Sequence, residues 1–167
     1  MQKSLWLRKS NTWIEADYLV KKVLVAVDGS ENSYRALDFS LEFTEKFGAE
    51  LTIMNVSESS GVVSVPPEIA PYTNDNMVVV ARDLRKFHEE VLNKATIHAK
   101  KIKPNVSISA ILKEGNPASA IIEAANEGNF DVVVLGHRGI GKFKGIFVGS
   151  ISEKVTRSLS CTVILVR

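Results

Sequence analysis

Hydrophobic and polar positions along the chain change period several times, and each change marks a predicted element. Lys22 to Val27 (KVLVAV) is a short valine-rich run with the turn signal Asp28-Gly29-Ser30 directly behind it, the pattern of a buried strand. From Glu31 the apolar positions Leu37, Leu41 and Phe47, flanked by Ala36, Ser40 and Phe43, recur at helical spacing until Gly48 stops them. Glu50 to Val56 (ELTIMNV) reads as a second strand. Ser57 to Asn76 holds Gly61, Pro66, Pro67 and Pro71, too many breakers for a regular element, and loops of that length are often functional or mobile. Val80, Leu84, Phe87, Val91, Ala95 and Ile102 step by three, four or seven. They predict a long amphipathic helix over about Met77 to Lys101, ended by Pro104, with His98 on its apolar stripe as a core residue. Val106 to Leu112 alternates into a third strand, and Gly115-Asn116-Pro117 opens a helix to about Asn126 with Asn as N-cap and Pro in the first turn. Asp131 to Leu135 (DVVVL) has the apolar run of a strand covered on both faces. Ser150-Ile151-Ser152-Glu153 reads as a capping box opening a last helix, and Cys161 to Val166 (CTVILV) closes the chain as a strand.

Strands alternating with helices predict an α/β fold: a doubly wound, Rossmann-like five-stranded parallel sheet with helices on both faces and right-handed crossovers. Ligands of such sheets bind beyond the carboxyl ends of the strands where the strand order reverses, so the first and fourth strands of the sheet are expected to flank the site.

Composition narrows the partners. A chain of 167 residues, 45% hydrophobic, suits one compact domain. Lys+Arg 21 against Asp+Glu 19 leaves +2, so no overall field draws the chain to nucleic acid or an anionic membrane. The single cysteine, Cys161, excludes an internal disulfide framework and a thiolate metal cluster within one chain, and fits a reducing cytoplasm. No stretch approaches the roughly 18 apolar residues that span a bilayer. Met1 to Asp17 carries Lys3, Arg8 and Lys9 but interrupts its apolar residues with Ser10, Asn11, Thr12 and Glu15, unlike a signal peptide. Residues 1–20, with Trp6 and Trp13, stand apart from a domain of residues 21–167 as an added strand or arm, or a start read too far upstream.

Candidate chemistry gathers behind the fourth strand. Gly136 and Gly141-Lys142 match the outline of a P-loop, but Phe143 occupies the place of the magnesium-binding hydroxyl, and residues 143–148 intervene before the helix. The dinucleotide fingerprint fails because its third glycine would fall on Lys144. A wider constellation remains: Gly136 and Gly139 separated by two residues, then nine positions from 140 to 148, then Gly149-Ser150 at a helix start. Glycines admit backbone amides to a phosphate, Ser150 offers a hydroxyl, and the unpaired amides of Ile151 and Ser152 align with the helix dipole. The same residues allow a second reading, in which the glycines only turn a loop and Ser150 only caps its helix.

The spacing G-x2-G-x9-G-[ST] resembles the motif of the ATP-binding branch of the universal stress protein family. Gly136, Gly139, Gly149 and Ser150 match every fixed position. Val25-Ala26-Val27-Asp28-Gly29-Ser30 with Ser33 looks like the family's first strand and turn, and Gly115-Asn116-Pro117 like a helix entry of the family. The resemblance covers about Lys21 to Arg167. It implies that Asp28 lies beside adenine and ribose, that Ala26 and Val27 line that wall, and that Val56 meets adenine through its backbone. Leu135 and Gly136 would contact the ribose side, Gly139 and Gly149 the phosphates, and Ser150 with Ile151 the terminal phosphates. The residues themselves also allow Asp28 as an N-cap or turn residue. His137, Arg138 and Lys142 could neutralise a triphosphate, whereas Lys144 suits a solvated basic loop.

The resemblance further implies an ATP-binding regulatory protein of the stress response, a nucleotide-dependent switch with an unknown protein partner. Its cofactor would be ATP, with Mg or Mn possible on the phosphates. Homodimerisation is implied through Cys161 to Val166, an apolar edge that invites pairing. No catalytic triad, metal-spaced histidine pair, committed general base or arginine finger is assignable, so no enzymatic role beyond slow hydrolysis is expected. Two alternatives are a nucleotide-free dimeric interaction module and an adenylating enzyme of the ATP pyrophosphatase type. The latter needs an S-G-G-x-D-S loop where this chain reads Asp28-Gly29-Ser30-Glu31-Asn32-Ser33.

Overall fold

The computed structural model describes residues 5–9, 12–16, 20–58, 75–137 and 149–167, with backbone alone for 5–9, 12–16, 75–79 and 81. Two strands, β1 (Leu5–Lys9) and β2 (Thr12–Ala16), pair antiparallel as a separate ribbon. The main body then follows as β3 (Lys22–Ala26), α1 (Glu31–Phe47), β4 (Glu50–Ser57), α2 (Asp75–Ile102), β5 (Ile108–Glu114), α3 (Pro117–Glu127), β6 (Val132–Gly136), α4 (Ser150–Ser158) and β7 (Thr162–Val166). Its five strands are all parallel in the order β5-β4-β3-β6-β7. This is the expected doubly wound α/β sheet, and its order reverses between β3 and β6.

Alternation along the strands divides the core into two layers. Val23, Val25 and Val27 face α1 and α2, packing with Leu37, Leu41, Ala95 and Ala99. Leu24, Met54, Val133 and Leu135 face α3 and α4, packing with Ile121, Ala124 and Val155. The ends of α1 follow local chemistry. Ser30 is the N-cap, its side chain accepting from the Ser33 amide, and Gly48 ends the helix with φ 66°, a left-handed conformation natural to glycine.

Several expectations are corrected. Phe47 lies on the helical stripe of α1 yet is 49% exposed. In α2, Val91, Ala95 and Ala99 are buried, but Val80, Leu84, Phe87 and Ile102 are exposed. The helix is about 42 Å long, well beyond the reach of strands no longer than eight residues, so only its middle covers the sheet. His98 is no core residue: its Nε2 meets the Asp38 carboxylate at 2.7 Å and its ring stands edge-on to Tyr34, joining α2 to α1 near the surface. The predicted loop from Ser57 to Asn76 lies outside the described residues over 59–74, and α2 begins at Asp75.

Candidate functional site

The strand reversal brings the carboxyl ends of β3 and β6 side by side, with Ala26 in register with Leu135 and Val133 with Leu24. Val27 continues the edge of β3 by donating its amide to the Met54 carbonyl at 2.8 Å. Asp28 follows, half-buried, and one carboxylate oxygen accepts from the Ser30 amide at 2.9 Å. This is an Asx turn, the turn role allowed for Asp28, and it leads into α1 through Gly29 at φ 86°. Ser33 Oγ donates back to the Ser30 carbonyl at 2.8 Å, so the first turn of α1 is closed by its own side chains.

Gly136 ends β6 against that turn. A Cβ there would stand 3.0 Å from both the carbonyl carbon and the oxygen of Asn32. Its lack of a side chain lets the α1 backbone approach β6, a demand independent of any ligand. His137 then donates its amide to the Val166 carbonyl and accepts from the Gly149 amide at 3.1 Å. The Gly149 amide is therefore engaged. Arg138 and Gly139, with Lys142 and Lys144, lie outside the described residues.

The first turn of α4 differs from the capping-box expectation. Gly149 is the N-cap, without a side-chain cap bond, and Ser150 is the first helical residue. The first helical bond runs from the Glu153 amide to the Gly149 carbonyl. The helix itself thus offers no acceptor to the amides of Ser150, Ile151 and Ser152, and the Ser150 hydroxyl does not cap its own helix. Ser152, 5% exposed, donates its hydroxyl to the Gly136 carbonyl at 3.0 Å. That bond fixes the start of α4 over the end of β6, and Val155 anchors the next turn in the core.

On the other side of β3, Val56 is buried against the α3 and α4 layer near the end of β4. Its neighbour Asn55, 1% exposed, donates Nδ2 to the Val27 carbonyl at 2.6 Å and meets His88 Nδ1 of α2 at 2.7 Å. A carbonyl can only accept, so the Asn55 amide nitrogen faces Val27 and its oxygen faces His88. The Nδ1 nitrogen of His88 therefore carries the proton. This pair ties the end of β3 to α2 just before Asp28.

The fold thus gathers Ala26, Val27, Asp28, Leu135, Gly136, His137, Gly149, Ser150 and Ile151 along one crest, with Val56 on the neighbouring strand. Asn55, His88 and the Ser152 hydroxyl are supporting groups that motif reading missed. The signal for Asn55 was present: an amide inside an otherwise apolar strand end must find buried partners. Among the described residues, no cluster of three or more His, Cys, Asp or Glu side chains could hold a metal, and no helix is long and apolar enough to cross a membrane.

Residues 20–167 match the universal stress protein family. The chain belongs to that family. Universal stress protein YxiE of Bacillus subtilis (strain 168) is 30% identical over 150 residues, covering 89% of this chain and 100% of the relative. Among solved structures, universal stress protein UspA from Lactobacillus plantarum superposes with a TM-score of 0.74 at 21% identity, covering 90% of this chain and 100% of that one. A universal stress protein crystallised in complex with cAMP superposes with a TM-score of 0.62 at 25% identity, covering 89% and 98%. Family membership thus extends over the body of five parallel strands, and residues 5–16 of the ribbon fall outside the matched range.

Proposed function

We propose that this universal stress protein binds an adenine nucleotide, ATP first, across the crest between β3 and β6, and acts as a nucleotide-dependent regulatory switch. The observation that carries the reading is the first turn of α4. Glycine stands at its N-cap, its leading amides have no acceptor within the helix, and Ser152 holds it over the switch point. Such a turn suits a phosphate chain. On this reading Ser150 and Ile151 take the terminal phosphates, and Gly139, His137 and Arg138 flank the chain of phosphates. Ala26, Val27, Asp28, Val56, Leu135 and Gly136 surround the nucleoside. A relative at 25% identity solved with cAMP supports an adenine ligand. Mg or Mn would arrive on the phosphates themselves. The assignment is to holding the nucleotide, with hydrolysis at most slow in the isolated chain.

Mass spectrometry of small molecules released from the purified protein, with calorimetric titration of ATP, ADP, AMP and cAMP, tests this. ATP should be retained by the native chain and lost from Gly149→Val and Asp28→Ala variants that remain folded. A nucleotide-free protein showing no thermal shift at millimolar ATP sinks the reading.

We also propose homodimerisation through β7. It ends the sheet, with Val163 to Val166 half-buried, and its outer side has no strand partner among the described residues. Sedimentation should give a dimer; a monomer that persists at high concentration contradicts this.

A further inference from the structure

One flank of α1 carries an exposed phenylalanine ladder. Phe39, Phe43 and Phe47 recur every fourth residue, with successive ring centroids 5.9 and 4.5 Å apart, and together with Glu42, Glu45 and Lys46 they line a groove of about 580 Å³. Phe39 and Phe47 are 38% and 49% exposed. The other flank is occupied, since Asp38 and Glu45 bond His98 and Lys103. An aromatic ladder rimmed by charged residues calls for a cover.

The chain supplies one of matching size and position. A lone two-stranded ribbon is marginal in water and needs an apolar surface to pack on. Opposed residues of an antiparallel pair share a face, and the register sets Leu5 opposite Ala16 and Leu7 opposite Ile14. Those four apolar positions lie on one face of the ribbon, and the pairs Trp6 with Glu15 and Arg8 with Trp13 on the other. Each five-residue strand extends about 16 Å, against about 12 Å of helix between Phe39 and Phe47. The point of attachment also fits. Val20 packs on the same core cluster as Phe43, and the Lys21 carbonyl accepts from the Glu50 amide at 2.8 Å, three residues beyond Phe47. The residues between Ala16 and Lys22 can span about 17 Å, enough to lay the ribbon along α1.

We propose that the N-terminal ribbon docks on its own chain, with the face holding Leu5, Leu7, Ile14 and Ala16 against Phe39, Phe43 and Phe47. The ribbon thereby becomes an added layer on the family body.

The test uses the full chain with Cys161→Ser, which removes its one cysteine. In that background Leu7→Cys with Phe39→Cys pairs the docking face with the ladder, and Arg8→Cys with Phe39→Cys pairs the outer face. Docking predicts a disulfide within single chains that forms at least about tenfold faster for the Leu7 pair than for the Arg8 pair. Equal rates, no disulfide, or a disulfide found only between two chains overturns the proposal. A second measurement needs no cysteine, because both tryptophans, Trp6 and Trp13, lie in the ribbon. Phe39→Glu with Phe47→Glu should lower the steady-state anisotropy of their emission by releasing the ribbon to faster motion; unchanged anisotropy overturns docking.

Discussion

The two helices that leave the crest of the sheet begin in opposite ways. After β3, the turn into α1 is closed by its own side chains: Asp28 takes the Ser30 amide, Ser30 takes the Ser33 amide, and Ser33 returns a bond to the Ser30 carbonyl. After β6, the turn into α4 has a glycine cap with no side chain to offer, and Ser152 is directed back to the Gly136 carbonyl. Both are helix N-termini with the same dipole. At α1 the Ser33 amide is taken by the Ser30 side chain, whereas at α4 no side chain among the described residues takes a first-turn amide, because Ser152 holds the helix in place instead of capping it. On the proposed reading, that difference suits the start of α4 to a phosphate.

Gly136 joins these two turns, so changing it should have the largest effect. Gly136→Val forces side-chain atoms into the Asn32 backbone, where even a Cβ stands at 3.0 Å. Stability in urea denaturation should fall by about 3 kcal/mol, with loss of nucleotide retention; an unperturbed midpoint would break the link between the turns. Gly149→Asp gives α4 the kind of cap that α1 has. It should stabilise the protein by only a few tenths of a kcal/mol while weakening ATP at least about tenfold through competition with the phosphates. Calorimetry showing unchanged ATP affinity would remove α4 from the phosphate site. Ser30→Ala is the reciprocal change at α1, expected to cost about 1 kcal/mol and to leave the ATP dissociation constant within about twofold, since that cap serves the helix alone.

The smallest effect lies beyond the other end of α4. Burial, aided by the charge of Asp131 and opposed by a backbone hydrogen bond, raises the Cys161 thiol above its usual 9.0. A raised folded value favours the protonated form, so its contribution is present below 9.0 and is lost as pH rises through the folded value. Urea midpoints of the native chain should therefore fall more above pH 9.0 than those of Cys161→Ser, and parallel profiles would falsify this.

Local chemistry made much of the fold readable. The bounds of α1 and the Asn116 cap and Pro117 entry of α3 follow patterns carried by adjacent residues. The capping box illustrates where such reading slips. Ser150-Ile151-Ser152-Glu153 has its residue types, yet the cap moves to Gly149, whose amide is held by the His137 carbonyl across the crest. A distant backbone bond thus decides which residue is helical. The apolar stripe of α2 slips for another reason: periodicity identifies a face but carries no information on how far the sheet beneath it extends, and Val80, Leu84 and Phe87 remain exposed.

The order of elements, their periods and the glycine-serine spacing are determined by the sequence alone, because propensity, turn chemistry and motif spacing act over a few residues. Tertiary structure decides what each site residue has left to offer. It consumes the Gly149 amide, sets Gly136 against the backbone of α1, directs Ser152 to β6, and joins Val27, Asn55 and His88. Hydrogen-bonding capacity is a limited resource, and its allocation depends on which distant groups the folded chain brings within about 3 Å.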